Sequence, residues 1–191
     1  MKFEYEFGAT PIDGDEAACL IPKHITVMPE LNAFEHANIL MAEQWALNSK
    51  FEFTVSYMKK LHKKMFDQTW KWAGEYRKTG KNIGVDAYRI ESELKQLIED
   101  VTYQIENRAF EFDEIAARFH HRLVLIHAFP NGNGRHARLM TDLLLKKNGK
   151  ERFSWGSITS SCDKMTRRNY IAALRLADIH LLFALLAFVR S

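Results

Sequence analysis

The stretch His127–Arg138, HAFPNGNGRHAR, decides how this 191-residue chain reads. A helical run with Ile115, Phe119, Leu123 and Ile126 inward leads into it and closes near His127. Two glycines and two asparagines follow. A second helix then opens at about Gly134, with Arg135 and Arg138 in its first turns. Glycine adopts positive φ and lets a ligand approach the backbone closely. Unpaired N–H groups at a helix N-terminus bind anions, helped by the helix dipole. Arg135 and Arg138 stand three residues apart, so they project from one face, and guanidinium forks match phosphate oxygens. The pattern describes an oligophosphate cradle beside a titratable histidine. It is not a Walker A loop, because the Gly-Lys-Ser/Thr ending is missing. It is not a dinucleotide fingerprint either, since a helix and not a strand precedes it.

HAFPNGNGRHAR resembles the signature of the Fic (filamentation induced by cAMP) family, His-x-Phe-x-Asp/Glu-Gly-Asn-Gly-Arg-x-x-Arg. Every fixed position matches except Asn131, where the family has Asp or Glu. Gly74-Glu75-Tyr76-Arg77 and the following 83–90 stretch resemble the family's flap region. Tyr170 to Asp178 resembles its closing helices, so the likeness covers roughly residues 35–190. The chain also resembles the small Fic proteins of the mobile mystery protein B subgroup.

The resemblance implies an all-α Fic fold, a helical bundle with one short β-hairpin flap. It implies transfer of AMP from ATP, with Mg²⁺, to a Ser, Thr or Tyr hydroxyl of a target protein. It further implies a bacterial, cytoplasmic, toxin-like protein with an antitoxin-like or helix-turn-helix regulatory partner. His127 would be the general base, and an ordinary histidine pKa near 6.5 suits that role. Gly132, Asn133 and Gly134 would form the anion hole. Arg135 and Arg138 would hold the β- and γ-phosphates, so that His127, Asn133 and Arg135 make the catalytic set. Phe129 would anchor the loop in the core. Ile83, Gly84, Val85, Asp86, Ala87 and Tyr88 would pair with an extended stretch of the target as an added strand.

Asn131 opens the metal question, because an amide oxygen binds Mg²⁺ more weakly than a carboxylate does. Three outcomes follow: binding through the amide carbonyl or a water, a weak site with slow turnover, or a different phosphate-containing donor. The alternatives to AMP transfer are therefore transfer of UMP, phosphocholine or phosphate, or a non-catalytic nucleotide- or protein-binding module. Many members of the family are held off by a glutamate in a Ser/Thr-x-x-x-Glu-Gly/Asn helix. Thr102 to Asn107 fits that string but sits between flap and motif, and reads as coincidence. Thr26 to Glu30 nearly fits, with Leu31 in the last place. The inhibitory carboxylate is thus Glu30, Glu35, one on a separate protein, or absent.

Outward from the motif, the periodicity gives helices from Glu30, from Val55 to about Trp70, from Glu91 to about Asn107, and around 161–176 and 178–189. The first would turn Leu31, Phe34, Ile39, Leu40, Ala42, Trp45 and Ala46 inward. Asp113 is the expected N-cap of the helix before His127. Ile83 to Ile90 reads as a β-hairpin, being short and rich in β-branched and aromatic residues. Three of the four prolines lie in residues 1–30, which read as an irregular arm before a Fic domain over 31–191.

Hydrophobic residues at 47% and charged residues at 27% exclude a disordered chain. The net charge of +3 alone argues for no partner, but its distribution is uneven. Residues 1–57 hold 3 basic and 9 acidic side chains, while residues 115–191 hold 13 and 4. An anionic partner is expected at the basic end. No nucleic-acid recognition motif accompanies it, so nucleic acid is not expected. The acidic segment is able to fold over the basic core. Cys19 and Cys162 fit no metal spacing and read as reduced thiols. His120, His121, His127 and His136 offer no zinc spacing. The N-terminus carries no apolar signal-peptide core. The longest apolar run, Ile179 to Val189, falls short of the roughly 20 residues that span a bilayer and reads as a buried helix. A homo-oligomer is left open.

Overall fold

The computed structural model describes residues 10–157 and 163–191. Helix α1 is short (Gly14–Ala18), and α2 (Met28–Asn48) and α3 (Val55–Phe66) form the first packed pair. Helix α3 starts where Thr54 Oγ1 accepts the Tyr57 N–H. It buries Met58, Leu61, Met65 and Phe66 and leaves Lys60, Lys63 and Lys64 in solvent. A 3-10 turn (Ala87–Arg89) leads into α4 (Ile90–Glu106). Helix α5 (Phe112–Ile126) packs between α4 and α6 (Asn133–Lys147). Beyond α6, α7 (Asp163–Asp178) and α8 (Phe183–Val189) build a second apolar cluster with Ala116, Ala117, Leu145 and Phe153. Helices α5 and α6 belong to both clusters, and the loop joining them runs from His127 to Gly132.

Several sequence expectations change here. The 83–90 stretch forms no hairpin. Residues 83–86 run irregularly and Ala87–Arg89 make a 3-10 turn. The reason is Arg77, which lies buried beneath the segment and donates through Nη2 to the Val85 carbonyl, while the Val85 N–H reaches the Ile126 carbonyl at 3.4 Å. Groups that a hairpin partner would bond are thereby satisfied by the core. The β-pairing among the described residues is one isolated antiparallel bridge, Leu20 to Trp70.

The arm is not wholly irregular. Asp13 and Glu16 close a capping box on α1, and Lys81 Nζ meets Glu16 at 2.6 Å and Asp13 at 3.4 Å. Asp113 is not an N-cap. Glu111 holds that position without a side-chain bond, and Asp113 instead pairs with Arg190. Along α2 the buried face is Leu31, Glu35, Asn38, Ala42 and Ala46, whereas Leu40 is 53% exposed. Two polar residues point inward there because both find partners. Asn38 donates to Thr69, and Glu35 is described below. The Ile179–Val189 run is not one buried helix. Helix α7 ends at Asp178, His180 takes φ +65°, and Ile179 and Phe183 face solvent. Cys19 is a free thiol, and Cys162 lies outside the described residues.

Candidate active site

His127 terminates α5 in the left-handed conformation, φ 53° and ψ 56°. A non-glycine residue adopts that geometry uncommonly, and here its surroundings hold it. Arg77 is the brace. Its Nε donates to the His127 carbonyl at 2.6 Å, its Nη1 to Thr79 at 2.9 Å, and its Nη2 to Val85 and, at 3.5 Å, to Ile126. One guanidinium thus satisfies carbonyls at the C-terminus of α5, where the dipole favours a cation, and also holds the 79–85 segment. His127 is 5% exposed, and burial together with Arg77 pushes its pKa down to about 4. The imidazole is therefore neutral at physiological pH. Its Nε2 lies 3.3 Å from Thr10 Oγ1.

The loop after His127 is fixed from inside. Phe129 is buried and stacks on His62 with ring centres 3.7 Å apart. His62 takes the Gly74 N–H on Nδ1, so its remaining proton is on Nε2 and donates to the Asn131 carbonyl at 3.0 Å. Asn133 faces inward as well: its amide donates to the Phe129 carbonyl and accepts the Phe129 N–H, at 2.7 and 2.9 Å. The side chain expected in the catalytic set is thus a loop brace, and its backbone N–H is what it offers the site. Gly132 caps α6 at φ +78°. A Cβ there would stand 2.4 Å from the Phe66 ring, so any other residue would have to displace that buried ring. At Gly134 a Cβ would meet only the Tyr170 hydroxyl, at 3.7 Å. Fold sterics do not demand that glycine, and its bareness serves close approach from outside.

The first N–H groups of α6 have no carbonyl a turn back to bond and face a cavity of about 560 Å³. His127, Gly132–Arg135 and Arg138 line it, together with Thr10, Leu31, Glu35, Arg167 and Tyr170. Its size matches small-molecule and cofactor pockets. Arg138 stands over the Tyr170 ring at 4.3 Å, and its Nε has no hydrogen-bond partner among the described residues. Arg135 is held by Glu35: Nη1 lies 2.7 Å from Oε2. The other carboxylate oxygen accepts the Trp70 indole N–H at 2.6 Å, and Glu35 is 4% exposed. Of the two suspected inhibitory glutamates, Glu35 therefore reaches the motif, while Glu30 stays in solvent in the first turn of α2. Glu106 is also exposed, at the far end of α4.

Asn131 lines the cavity with both ends of its amide engaged. Its Oδ1 accepts the Gly132 N–H at 2.7 Å and its Nδ2 donates to the Thr10 carbonyl at 3.2 Å. A neutral amide with its oxygen already engaged is a poor Mg²⁺ ligand, and the described residues hold no cluster of three His, Cys, Asp or Glu. The residues do not fit a protein-held metal. Of the other histidines, His120 bonds Tyr170 and His121 pairs with Asp178. Of the flap residues, Ile83 lines the cavity, while Tyr88 is 84% exposed on the 3-10 turn. Sequence reading missed Thr10, the brace made by Arg77, the lock made by His62, and the Trp70 bond to Glu35. The one local signal was Glu35 itself, a carboxylate on the stripe Leu31–Asn38–Ala42.

The Fic/DOC family model matches residues 52–145. Protein adenylyltransferase fic-1 of Caenorhabditis briggsae is 33% identical over 88 residues, which are 45% of this chain and 16% of that protein. The chain thus spans about a sixth of that relative's length. Among solved structures, the N-terminal Fic domain of a Bartonella effector protein from Bartonella sp. AR 15-3 superposes with a TM-score of 0.72 at 18% identity, over 93% of this chain and 91% of that one. BepC of Bartonella tribocorum with bound AMPPNP gives 0.70 at 18% identity, over 93% and 97%. No helix among the described residues is long and apolar enough to cross a membrane.

Proposed function

The chain carries a Fic/DOC-family domain, and from that premise we propose that it is a protein adenylyltransferase, moving AMP from ATP to a Ser, Thr or Tyr hydroxyl of a target protein. One observation carries the reading: His127, the N-terminal turn of α6 and two arginines line the same cavity. The triphosphate binds the free N–H groups of α6, with Arg135 and Arg138 on its β- and γ-phosphates. The acceptor hydroxyl approaches His127 Nε2, which takes its proton. A bond forms from the hydroxyl oxygen to the α-phosphorus, the bond to the bridging oxygen breaks, and pyrophosphate leaves towards the arginines. Catalysis is then positioning and electrostatics. Support comes from the relative that is itself called an adenylyltransferase and from the neighbour that binds AMPPNP. Any Mg²⁺ comes with the triphosphate.

Glu35 is the inhibitory carboxylate in this reading, because it occupies the guanidinium that the outer phosphates need. The neutral Asn131 favours a second reading, a site that binds nucleotide without turnover. ATP labelled at the α- or at the γ-phosphate separates the readings when incubated with the protein, Mg²⁺ and a cell lysate. Adenylyl transfer deposits α-label and not γ-label on protein, and His127→Ala abolishes it. Deposited γ-label would mean kinase-like transfer. Nucleotide binding with neither label deposited would leave the silent binder.

A further inference from the structure

The outer face of α3 carries positive charge that its own surroundings do not balance. Residues 58–81 hold eight basic side chains and two carboxylates, Asp67 and Glu75. Arg77 and Lys81 serve internal contacts. Lys59, Lys60, Lys63 and Lys64 leave α3 on one side, with Lys59 four residues before Lys63 and Lys60 four before Lys64. Like charges at that spacing disfavour a helix. Lys59 lies near Glu91, which already pairs with Lys95 at 3.3 Å. Lys60, Lys63, Lys64, Lys71 and Lys78 are exposed, and among the described residues none of them pairs with a carboxylate. Aromatic rings hold the ammonium groups in place: Lys60 and Lys64 stand over Trp45 at 5.2 and 5.8 Å, and Lys59 over Tyr76 at 4.6 Å. The face borders the segment that braces the base. Gly74 backs onto α3 so closely that a Cβ there would stand 2.8 Å from Lys63 Cβ. From Gly74 the chain runs through Tyr76, Arg77 and Lys78 into the 79–85 segment beside His127.

Such a face suits an anionic partner. Met41, 58% exposed, and the half-buried Trp45 stand four residues apart on α2, which sets an apolar contact beside the ammonium groups. That combination fits a polypeptide, whereas a phosphate backbone would use the charges alone. We propose that the lysine face of α3 is a docking site for an acidic segment of the target protein, which brings acceptor hydroxyls flanked by carboxylates to His127. The proposal rests on the transferase reading above. The twelve residues of α3 span about 18 Å, the reach of about six extended residues. Clustered lysines steer an acidic chain towards them and favour it over a neutral one. The face thus selects which targets are captured and leaves the chemistry at the cradle unchanged.

Two fluorescent peptides test this, each with one serine and a Gly/Ala linker, one ending in a run of about six glutamates and its twin in glutamines. The full chain as Glu35→Gln is compared with the same protein carrying Lys60→Glu, Lys63→Glu and Lys64→Glu. A control carries Lys23→Glu, Lys146→Glu and Lys150→Glu, all exposed and away from α3. Peptide binding is read by fluorescence anisotropy, and transfer by α-labelled ATP with Mg²⁺. The glutamate peptide is expected to bind at least tenfold more tightly than its twin, a preference that the α3 reversal removes and the control keeps. It is also expected to take label with a lower KM and an unchanged kcat. Equal binding of the twins, or an equal loss in the control, overturns the proposal. A short DNA duplex that binds the α3 face more tightly than the glutamate peptide overturns it in favour of nucleic acid. Twins that bind alike and are labelled with equal KM overturn the docking site and leave the transferase standing. A glutamate preference lost only in the α3 reversal, with no label on peptide or lysate protein, supports the docking site and overturns the transferase reading.

Discussion

Glu35→Gln isolates the charge at the centre of the site. The wild-type carboxylate is a fork, with one oxygen on the Trp70 indole and the other on Arg135. Glutamine keeps an acceptor for Trp70 and turns an NH₂ group towards the guanidinium. Arg135 then has no anionic partner in the cavity and is open to phosphate. A hydrogen bond between charged groups contributes about 1.5–3 kcal/mol, so ATP binding tightens by roughly 10- to 150-fold. Glu35→Ala opens Arg135 equally but leaves the buried Trp70 N–H without an acceptor, at a cost of about 1–3 kcal/mol in stability. Titration calorimetry with ATP and urea unfolding of both variants separate the two effects. The reasoning fails if Glu35→Gln binds ATP no more tightly than wild type, since the ion pair and the phosphates would then not compete.

Three other changes test other parts of the site. Gly132→Ala places a methyl 2.4 Å from the Phe66 ring at φ +78°, and a loss of at least about 3 kcal/mol is expected by urea unfolding; a loss under about 1 kcal/mol would contradict the geometry. His136 is fully buried against the Met58 carbonyl with its pKa held down at about 4, chiefly by burial. The folded state binds fewer protons than the unfolded chain between about pH 4 and 6.5, so stability falls as pH drops through that window. At pH 5 the loss from this one residue is about 2 kcal/mol relative to pH 7.5, and His62, His120 and His127 act in the same direction; unfolding midpoints equal at the two pH values would refute it. Asn131→Asp sets a carboxylate against the Thr10 carbonyl and before the phosphates. ATP affinity should then depend on Mg²⁺ at least tenfold more than in wild type, read by calorimetry with and without EDTA; equal dependence would remove Asn131 as the reason for the poor metal site.

The loop between α5 and α6 was legible because its pattern is local. Gly132, the arginines three apart and the closing histidine sit within twelve residues, and their backbone roles follow from spacing. Helices α3, α4 and α6 were legible for the same reason, since a periodic apolar face needs only near neighbours. What the sequence hid depends on contacts across the chain. Thr10 meets a partner 117 positions away and Glu35 one 100 positions away; nothing around Thr10 encodes that, and Glu35 showed only as a carboxylate on an apolar stripe. Only the acidic start and the basic end hinted that the two would meet. The flap was misread because Val85 and Ile83 favour strand locally, whereas Arg77 claims the backbone groups a strand partner needs. Asp113 was misread because a capping residue competes with its other partners, and Arg190 wins. Asn133 looked catalytic because the motif gives residue types and not side-chain directions.

Arg77 also determines how much of a visitor the protein is able to read. Both backbone groups of Val85 are already bonded inside the molecule, so that edge is sealed partway along. On the proposed reading, a target chain laid against it would gain few backbone bonds, which would place little demand on its length or register. Selectivity would then rest on what fits beside His127, so that many short sequences would serve in preference to one long one.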